Sequence, residues 1–293
     1  MSIYQELKDS FKFGSPLTKL LYINIGVFIL FRFIFAFYWG FGQQDLFPFT
    51  NWLSAPAYLP SLIYKPWSII TYMFYHEDFF HIAFNMLGLY WFGKLFLEFL
   101  SKRQLVGTYL LGGLSGYIFF SLAYYLIPVL HQNLPGAVVL GASASVLAIL
   151  AAVSFYRPNY SIYLMFFGQV KLKYLALFYI VIDVLTMASG NPGGHIAHLG
   201  GMFFGWIFAM QLRKGKDITI GVNKTLDFLV TLFKPRKKLK VSHRKPANDF
   251  EYKKQKVSEQ KQIDVILDKI SRSGYDSLNK DEKEMLFKMG KNK

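Results

Sequence analysis

Three stretches of this sequence hold side chains that can act on one another: His81 with Asn85, then Ser143, then His195 with His198. A serine hydroxyl is a poor nucleophile until a base removes its proton, and histidine is the side chain best matched to that task near neutral pH. Ser143 with His198 supplies such a pair. Acyl transfer through serine also builds charge on a carbonyl oxygen, which needs fixed hydrogen-bond donors. His81 and Asn85 are spaced i, i+4, so on a helix they share one face and both can point at that oxygen. The chain contains no cysteine, which excludes disulfides, thiolate nucleophiles and Cys-ligated metal centres.

The elements that must position these groups are apolar. Of 293 residues, 53% are hydrophobic and 17% charged, and the mean hydropathy is +0.27; soluble chains average about 45–50% and about 25%. The composition points to an all-α membrane protein. Six stretches, 17–38, 79–100, 105–127, 138–156, 172–188 and 195–212, are about long enough at ~1.5 Å per residue to cross a hydrocarbon core of ~30 Å. The first lacks a small-residue cleavage pattern, so it is expected to stay in the protein. Lys8, Lys12, Lys19, Lys102, Arg103, Arg157, Lys171, Lys173, Arg213 and Lys214 fall on one side of these spans and only Lys65 on the other. The positive-inside bias therefore puts both termini in the cytoplasm.

Spans two, four and six then run inward from the outer face. His81 lies about two residues into its span, Ser143 about five and His198 about three, so their depths agree within roughly 5 Å. One layer near the outer surface can hold them all. Polar groups that persist at membrane depth usually face the bundle interior or a water-filled cavity.

Ser115 is a rival nucleophile, because Gly113-Leu114-Ser115-Gly116 is a literal G-x-S-G. It sits near the middle of its span, about 10 Å from the histidine layer by the same rise. Its glycines read better as a packing face, Gly112 with Gly116, as do Gly141 with Ser145 and Gly201 with Gly205. Asp183 and Arg32 read as buried structural groups or snorkelling side chains. His195 and His198, with His76, Glu77 and Asp78 nearby, invite a zinc reading, but no HExxH is present and Ser143 and Asn85 would go unexplained. No metal or other cofactor is expected. Nothing resembles a phosphate-binding loop or a nucleic-acid module.

Two further segments carry information. The loop 39–67 is rich in Phe, Trp, Pro and Leu, which suits a segment partly embedded in the membrane interface. After Leu212 lie 22 of the 33 Lys and Arg residues but only 11 of the 18 Asp and Glu. Within this tail, 234–245 reads as a basic linker attracted to anionic lipid. Ile263, Ile266, Leu267 and Ile270 recur at helical spacing, Gly274 is a stop, and Asn279 can cap a second helix. The expected organisation is an N-terminal segment 1–16, a membrane domain 17–212, a basic linker 213–258 and a small helical hairpin 259–293 whose partner no motif identifies; with so few apolar side chains to pack, a disordered tail with nascent helix is an equal alternative for the last segment.

The motifs His81-Ile82-Ala83-Phe84-Asn85, Gly141-Ala142-Ser143 and His198-Leu199-Gly200-Gly201 with Gly205, in that order on spans two, four and six, resemble the rhomboid intramembrane serine proteases. The resemblance covers about 19–212. It implies a six-transmembrane-helix rhomboid-like bundle and a Ser143/His198 catalytic dyad without a third carboxylate. It further implies an oxyanion site from His81, Asn85 and the Ser143 backbone amide, and a structural role for His76. Single-span transmembrane proteins, cut near the outer membrane face, would be the substrates, with membrane lipid as the other partner. The chain departs from the pattern at Ala144, where a glycine usually follows the nucleophile, at Ser68, where an arginine often follows tryptophan, and at Leu147, where an aromatic is common. The alternative is a weakly active or inactive rhomboid-like protein that binds transmembrane clients. Such proteins normally lose the serine or the histidine, and both are present. The expected location is the bacterial cytoplasmic membrane.

Overall fold

Residues 3–165, 167–188, 190–233 and 249–290 are described by a computed structural model of the chain. Four of the six apolar runs become helices whose first amides are met by a polar side chain. Ser15 opens α1 (Pro16–Gly40), its hydroxyl accepting the Thr18 amide at 3.2 Å with Pro16 in the first turn. Asp78 caps α2 (Phe79–Phe99) by accepting the His81 amide at 2.7 Å. Ser101 and Gln104 form a reciprocal capping box on α3 (Lys102–Leu126). The next two are α4 (Ser143–Tyr156) and α5 (Leu172–Thr186), followed by α6 (Pro192–Arg213), where Asn191 accepts the Gly194 amide at 3.0 Å.

Of these, α1 and α3, each 25 residues long, have the length and hydropathy to cross a membrane on their own count. The fourth helix is as apolar but has only 14 residues. It starts at Ser143 rather than at 138 because Val138–Val139 is a strand. Every residue from Ala144 to Ser154 is buried, as expected of a helix that is apolar all round. It is the centre of the bundle, packed chiefly against α6, then α3 and α2.

Small residues let these helices meet. A methyl group added at Gly201 would stand 2.1 Å from the Ala144 carbonyl oxygen, and one at Gly205 2.3 Å from that of Ala148. On α3, a methyl at Gly112 would meet Ala148 Cβ at 2.2 Å and one at Gly116 would meet Ala144 Cβ at 2.6 Å. Gly112 with Gly116 and Gly201 with Gly205 are therefore where α3 and α6 touch α4, on Ala144 and Ala148; Gly141, paired with Ser145 in the sequence reading, lies before the helix and faces His81 instead.

The loop before α2 is built from short helices (Phe49–Leu53, Leu59–Tyr64, Ser68–Thr71) around a two-residue strand, β1 (Ala55–Pro56). This strand pairs antiparallel with β2 (Val138–Val139). Ser54, Ala55 and Ala57 are fully buried, while Trp52, Ile63, Tyr64 and Trp67 stay exposed. A second hairpin, β3 (Ser161–Leu164) with β4 (Gly168–Lys171), joins α4 to α5.

The chain divides into two units, Met1–Phe233 and Lys234–Lys293. The stretch 213–258, read above as linker, holds a helix at Ile220–Phe233 and the start of α7 (Asp249–Ser273), so the boundaries drawn from sequence need correction. The early turns of α7 lack an apolar stripe and are carried by good helix formers and by side-chain pairs one turn apart, such as Gln255 with Glu259. Apolar spacing was blind to them. The basic run 234–245 lies outside the described residues. Gly274, at φ +76°, ends α7, and Asn279 and Glu282 cap α8 (Lys280–Gly290) reciprocally. Lys269 on α7 pairs with Glu282 on α8 at 2.9 Å. Ile266 and Leu278 are buried in this pair.

Gly201→Ala and Gly205→Ala should each destabilise the membrane unit by about 1–3 kcal/mol, the usual cost of overpacking, and valine at either position by more. Gly26→Ala, on a face of α1 with nothing within 4 Å, should change little. Thermal unfolding in detergent of the three variants checks the contrast.

Candidate active site

The central helix begins at a backbone that three other elements hold in place. The Gly141 amide donates to the Tyr72 carbonyl at 2.8 Å, and Ala57 donates to the Ala137 carbonyl at 2.9 Å. The Ala142 amide donates to His76 Nε2 at 3.3 Å. Gly141 itself has φ +102°, a left-handed conformation open chiefly to glycine. A Cβ there would also lie 2.6 Å from His81 Nε2. The turn thus demands glycine twice over, once for its dihedral and once for the imidazole stacked on it.

No side chain caps α4: its N-cap is Ala142, and the first intrahelical bond is Val146 to Ala142. The opening amides, that of Ser143 included, therefore have no helical acceptor and lie at the positive end of the helix dipole. Such a terminus suits a developing oxyanion.

A cavity of about 820 Å³ opens at this point, lined by Ser143, His81, Asn85, His195, His198 and Asp183 among others. The structure brings together all four site residues predicted from sequence. Asn85 is buried and donates one amide hydrogen to the His81 carbonyl at 2.8 Å, which leaves its second hydrogen for a ligand. Ser143 and His198 share the cavity without a direct hydrogen bond among the described residues; catalytic hydrogen bonds are often long before substrate is bound. Ser115 lies elsewhere, its hydroxyl donating to the Gly200 carbonyl at 2.7 Å, as a packing serine does. Ala144, which replaces the expected glycine, turns its methyl to Gly116, which makes room for it, and its backbone to Gly201. Leu147 lines the cavity wall and Ser68 is buried beneath the loop.

One residue exceeds the sequence reading. Asp183, on α5, does not snorkel: it is 3% exposed, and its Oδ1 lies 2.8 Å from His195 Nδ1 and 2.9 Å from His198 Nδ1. The ligand atoms of these three residues lie within 4.8 Å of one another, a spacing that can also hold a metal ion. The signal was present in the sequence as a lone carboxylate in an apolar run. Its partners were hidden because helix rise gives depth and not the direction a side chain faces. Arg32, the other charge singled out, donates to the Glu77 carbonyl at 2.9 Å and lies over the Phe35 ring.

Comparison with known proteins adds to this geometry. The rhomboid domain family model matches residues 64–215, and a family of unknown function matches 248–292. The chain is 32% identical over 207 residues to RHOMBOID-like protein 12, mitochondrial, of Arabidopsis thaliana, covering 67% of this chain and 58% of that protein. It is 29% identical over 206 residues to Rhomboid protein 1, mitochondrial, of Saccharomyces cerevisiae, covering 68% and 53%. Rhomboid-like protein 17, chloroplastic, of Arabidopsis thaliana is 26% identical over 163 residues. The chain spans between 50% and 62% of the length of the curated relatives it matches. These relatives correct one expectation. Their names place those relatives in mitochondria and chloroplasts, and none of them in the bacterial cytoplasmic membrane, so the expectation of that membrane is withdrawn. A Lys/Arg bias tells the sides of a membrane apart; it carries no information on which membrane it is.

His76 precedes α2 and is 1% exposed. Burial, reinforced by the neighbouring His81, pushes its pKa down to about 4. Below about pH 6.5 the unfolded chain binds a proton there that the folded chain refuses, so stability falls as pH drops from about 6.5 to about 4, by roughly 3 kcal/mol over that window. Thermal midpoints between pH 4 and 8 should show this slope, and His76→Gln, which keeps an acceptor for Ala142, should flatten it.

Proposed function

Because the chain belongs to the rhomboid family, we propose that it is an intramembrane serine endopeptidase working through Ser143 and His198. Rhomboid proteins are in general serine proteases of the membrane interior. The observation that carries the assignment to this chain is the convergence of Ser143, His198, His81 and Asn85 on one cavity at the N-terminus of α4. In this reading α1 to α6 all cross the bilayer, and the cavity opens on the side opposite the Lys/Arg-rich loops.

The mechanism follows from the placement of these groups. His198 takes the Ser143 proton as the oxygen attacks the scissile carbonyl. The new oxyanion meets the Ser143 amide at the uncapped helix end, with His81 and the second Asn85 hydrogen as side-chain donors. His198 returns the proton to the leaving amine, and water entering the cavity hydrolyses the acyl-enzyme. A peptide bond in a helix has its carbonyl already engaged, so substrate must unwind before it fits. Single-span proteins with helix-breaking Gly or Pro near the outer face are the proposed substrates, and lipid is the medium that delivers them.

Ser143→Ala and His198→Ala should abolish cleavage of a reconstituted single-span reporter, and Ser143→Ala should also abolish labelling by a fluorophosphonate. Ser115→Ala should stay active. Binding of the reporter by wild type with no turnover and no labelling would favour the client-binding alternative.

His81→Ala and Asn85→Ala should lower kcat more than they raise KM, by up to about 10²–10³-fold for a strong donor. Cleavage mapped by mass spectrometry should fall near the membrane face opposite the basic loops, and a poly-Leu segment at the cut should slow it.

A further inference from the structure

A buried carboxylate needs partners, since an isolated charge out of water is costly. Asp183 has two, and both are imidazole Nδ1 atoms: His195 at 2.8 Å and His198 at 2.9 Å, meeting on the single oxygen Oδ1. Its Oδ2 has no hydrogen-bond partner among the described residues. An ionised carboxylate only accepts hydrogen bonds, so each Nδ1 must carry the proton. That assigns His198 the Nδ1–H tautomer and leaves Nε2 as its unprotonated nitrogen. Only a nitrogen with a free lone pair can take a proton from serine.

We propose that Asp183 is the positioning residue of the site, holding His198 in the tautomer and orientation that present Nε2 to Ser143, with His195 fixing the carboxylate from the same helix face. This rests on the Ser143/His198 reading above. In the attack step the Ser143 O–H bond breaks and its proton goes to His198 Nε2. The serine oxygen bonds to the scissile carbon, and the carbonyl π pair moves to its oxygen. Asp183 keeps its own charge throughout and faces the imidazolium that forms, in a setting where that attraction is weakly screened.

The geometry supports a dedicated role over incidental packing. His195 and His198 are three residues apart on α6, so one face of that helix grips α5 at two points through one oxygen. Thr186, one turn after Asp183, places its hydroxyl 3.5 Å from His195 Nδ1 and donates to the Ile182 carbonyl at 2.6 Å. The second histidine keeps the carboxylate from rotating away from the first.

The test uses the full chain in liposomes with the single-span reporter, and ¹⁵N spectra of protein labelled at its six histidines. Wild-type His198 should resonate as the Nδ1–H tautomer, and Asp183→Asn should lose that signature. The same variant should lower kcat by about 10²–10⁴-fold, the scale on which a serine hydrolase suffers a wrong tautomer, with KM changed less than about threefold. Asp183→Glu should recover at least about tenfold of the lost kcat. Wild-type His198 found as Nε2–H overturns the proposal without any variant, and so does a normal kcat in Asp183→Asn while Ser143→Ala is dead. Loss of wild-type activity to EDTA, restored by Zn²⁺, also overturns it, since the three residues would then be metal ligands. If Ser143→Ala and His198→Ala themselves cleave normally, the dyad reading falls instead.

Discussion

No side chain fits between Gly201 and the carbonyl of Ala144, and the rest of the site depends on that contact. In lipid, helices gain nothing by hiding apolar surface from one another, so they associate through close van der Waals packing and the few polar bonds they can make. Glycines on α3 and α6 let both helices reach α4 at backbone distance. The uncapped N-terminus of α4 then lies beside the Asn191-capped start of α6, and the two helix ends bound one cavity. Bulkier residues at the crossing would widen the bundle and separate Ser143 from His198 without altering either side chain.

The loop between α1 and α2 serves the same purpose from outside the bundle. Its strand pairs with the segment just before Ser143, and its carbonyls are tied to α3 through Tyr117 and Ser121 at 3.1 and 2.9 Å. Deeper in, Asn24 of α1 donates to Tyr109, whose hydroxyl donates to the Met73 carbonyl at 2.8 Å. These buried polar groups form chains that run from helix to loop, so their desolvation cost is offset by bonds that also fix geometry.

Much of this was legible in the sequence. The residues His81, Asn85, Ser143 and His198 could be gathered into one layer because helix rise converts chain position into depth, and the small-residue spacing showed which faces would meet. Two kinds of information were missing. Rotation about a helix axis is set by packing, so Asp183 could be recognised as a buried charge without its partners being known. Short non-helical pairings such as β1 with β2 involve two residues each and carry no periodic signal. The helix starting at Asp249 was hidden for a related reason, since its polar first turns show no apolar stripe, and the identity of the membrane is not encoded in the charge bias at all.

The pairing of β1 with β2 also sets an order of assembly. Residues near position 55 must wait for those near 139 before the turn ahead of α4 can take its shape, and His198 and its glycines emerge from the ribosome later still. Contacts so distant along the chain form slowly and late. A chain synthesised only as far as Ser143 already holds both strands but lacks α5 and α6, and with them one wall of the cavity. The cavity is complete only once α6, the last of the six helices to be made, has packed onto α4.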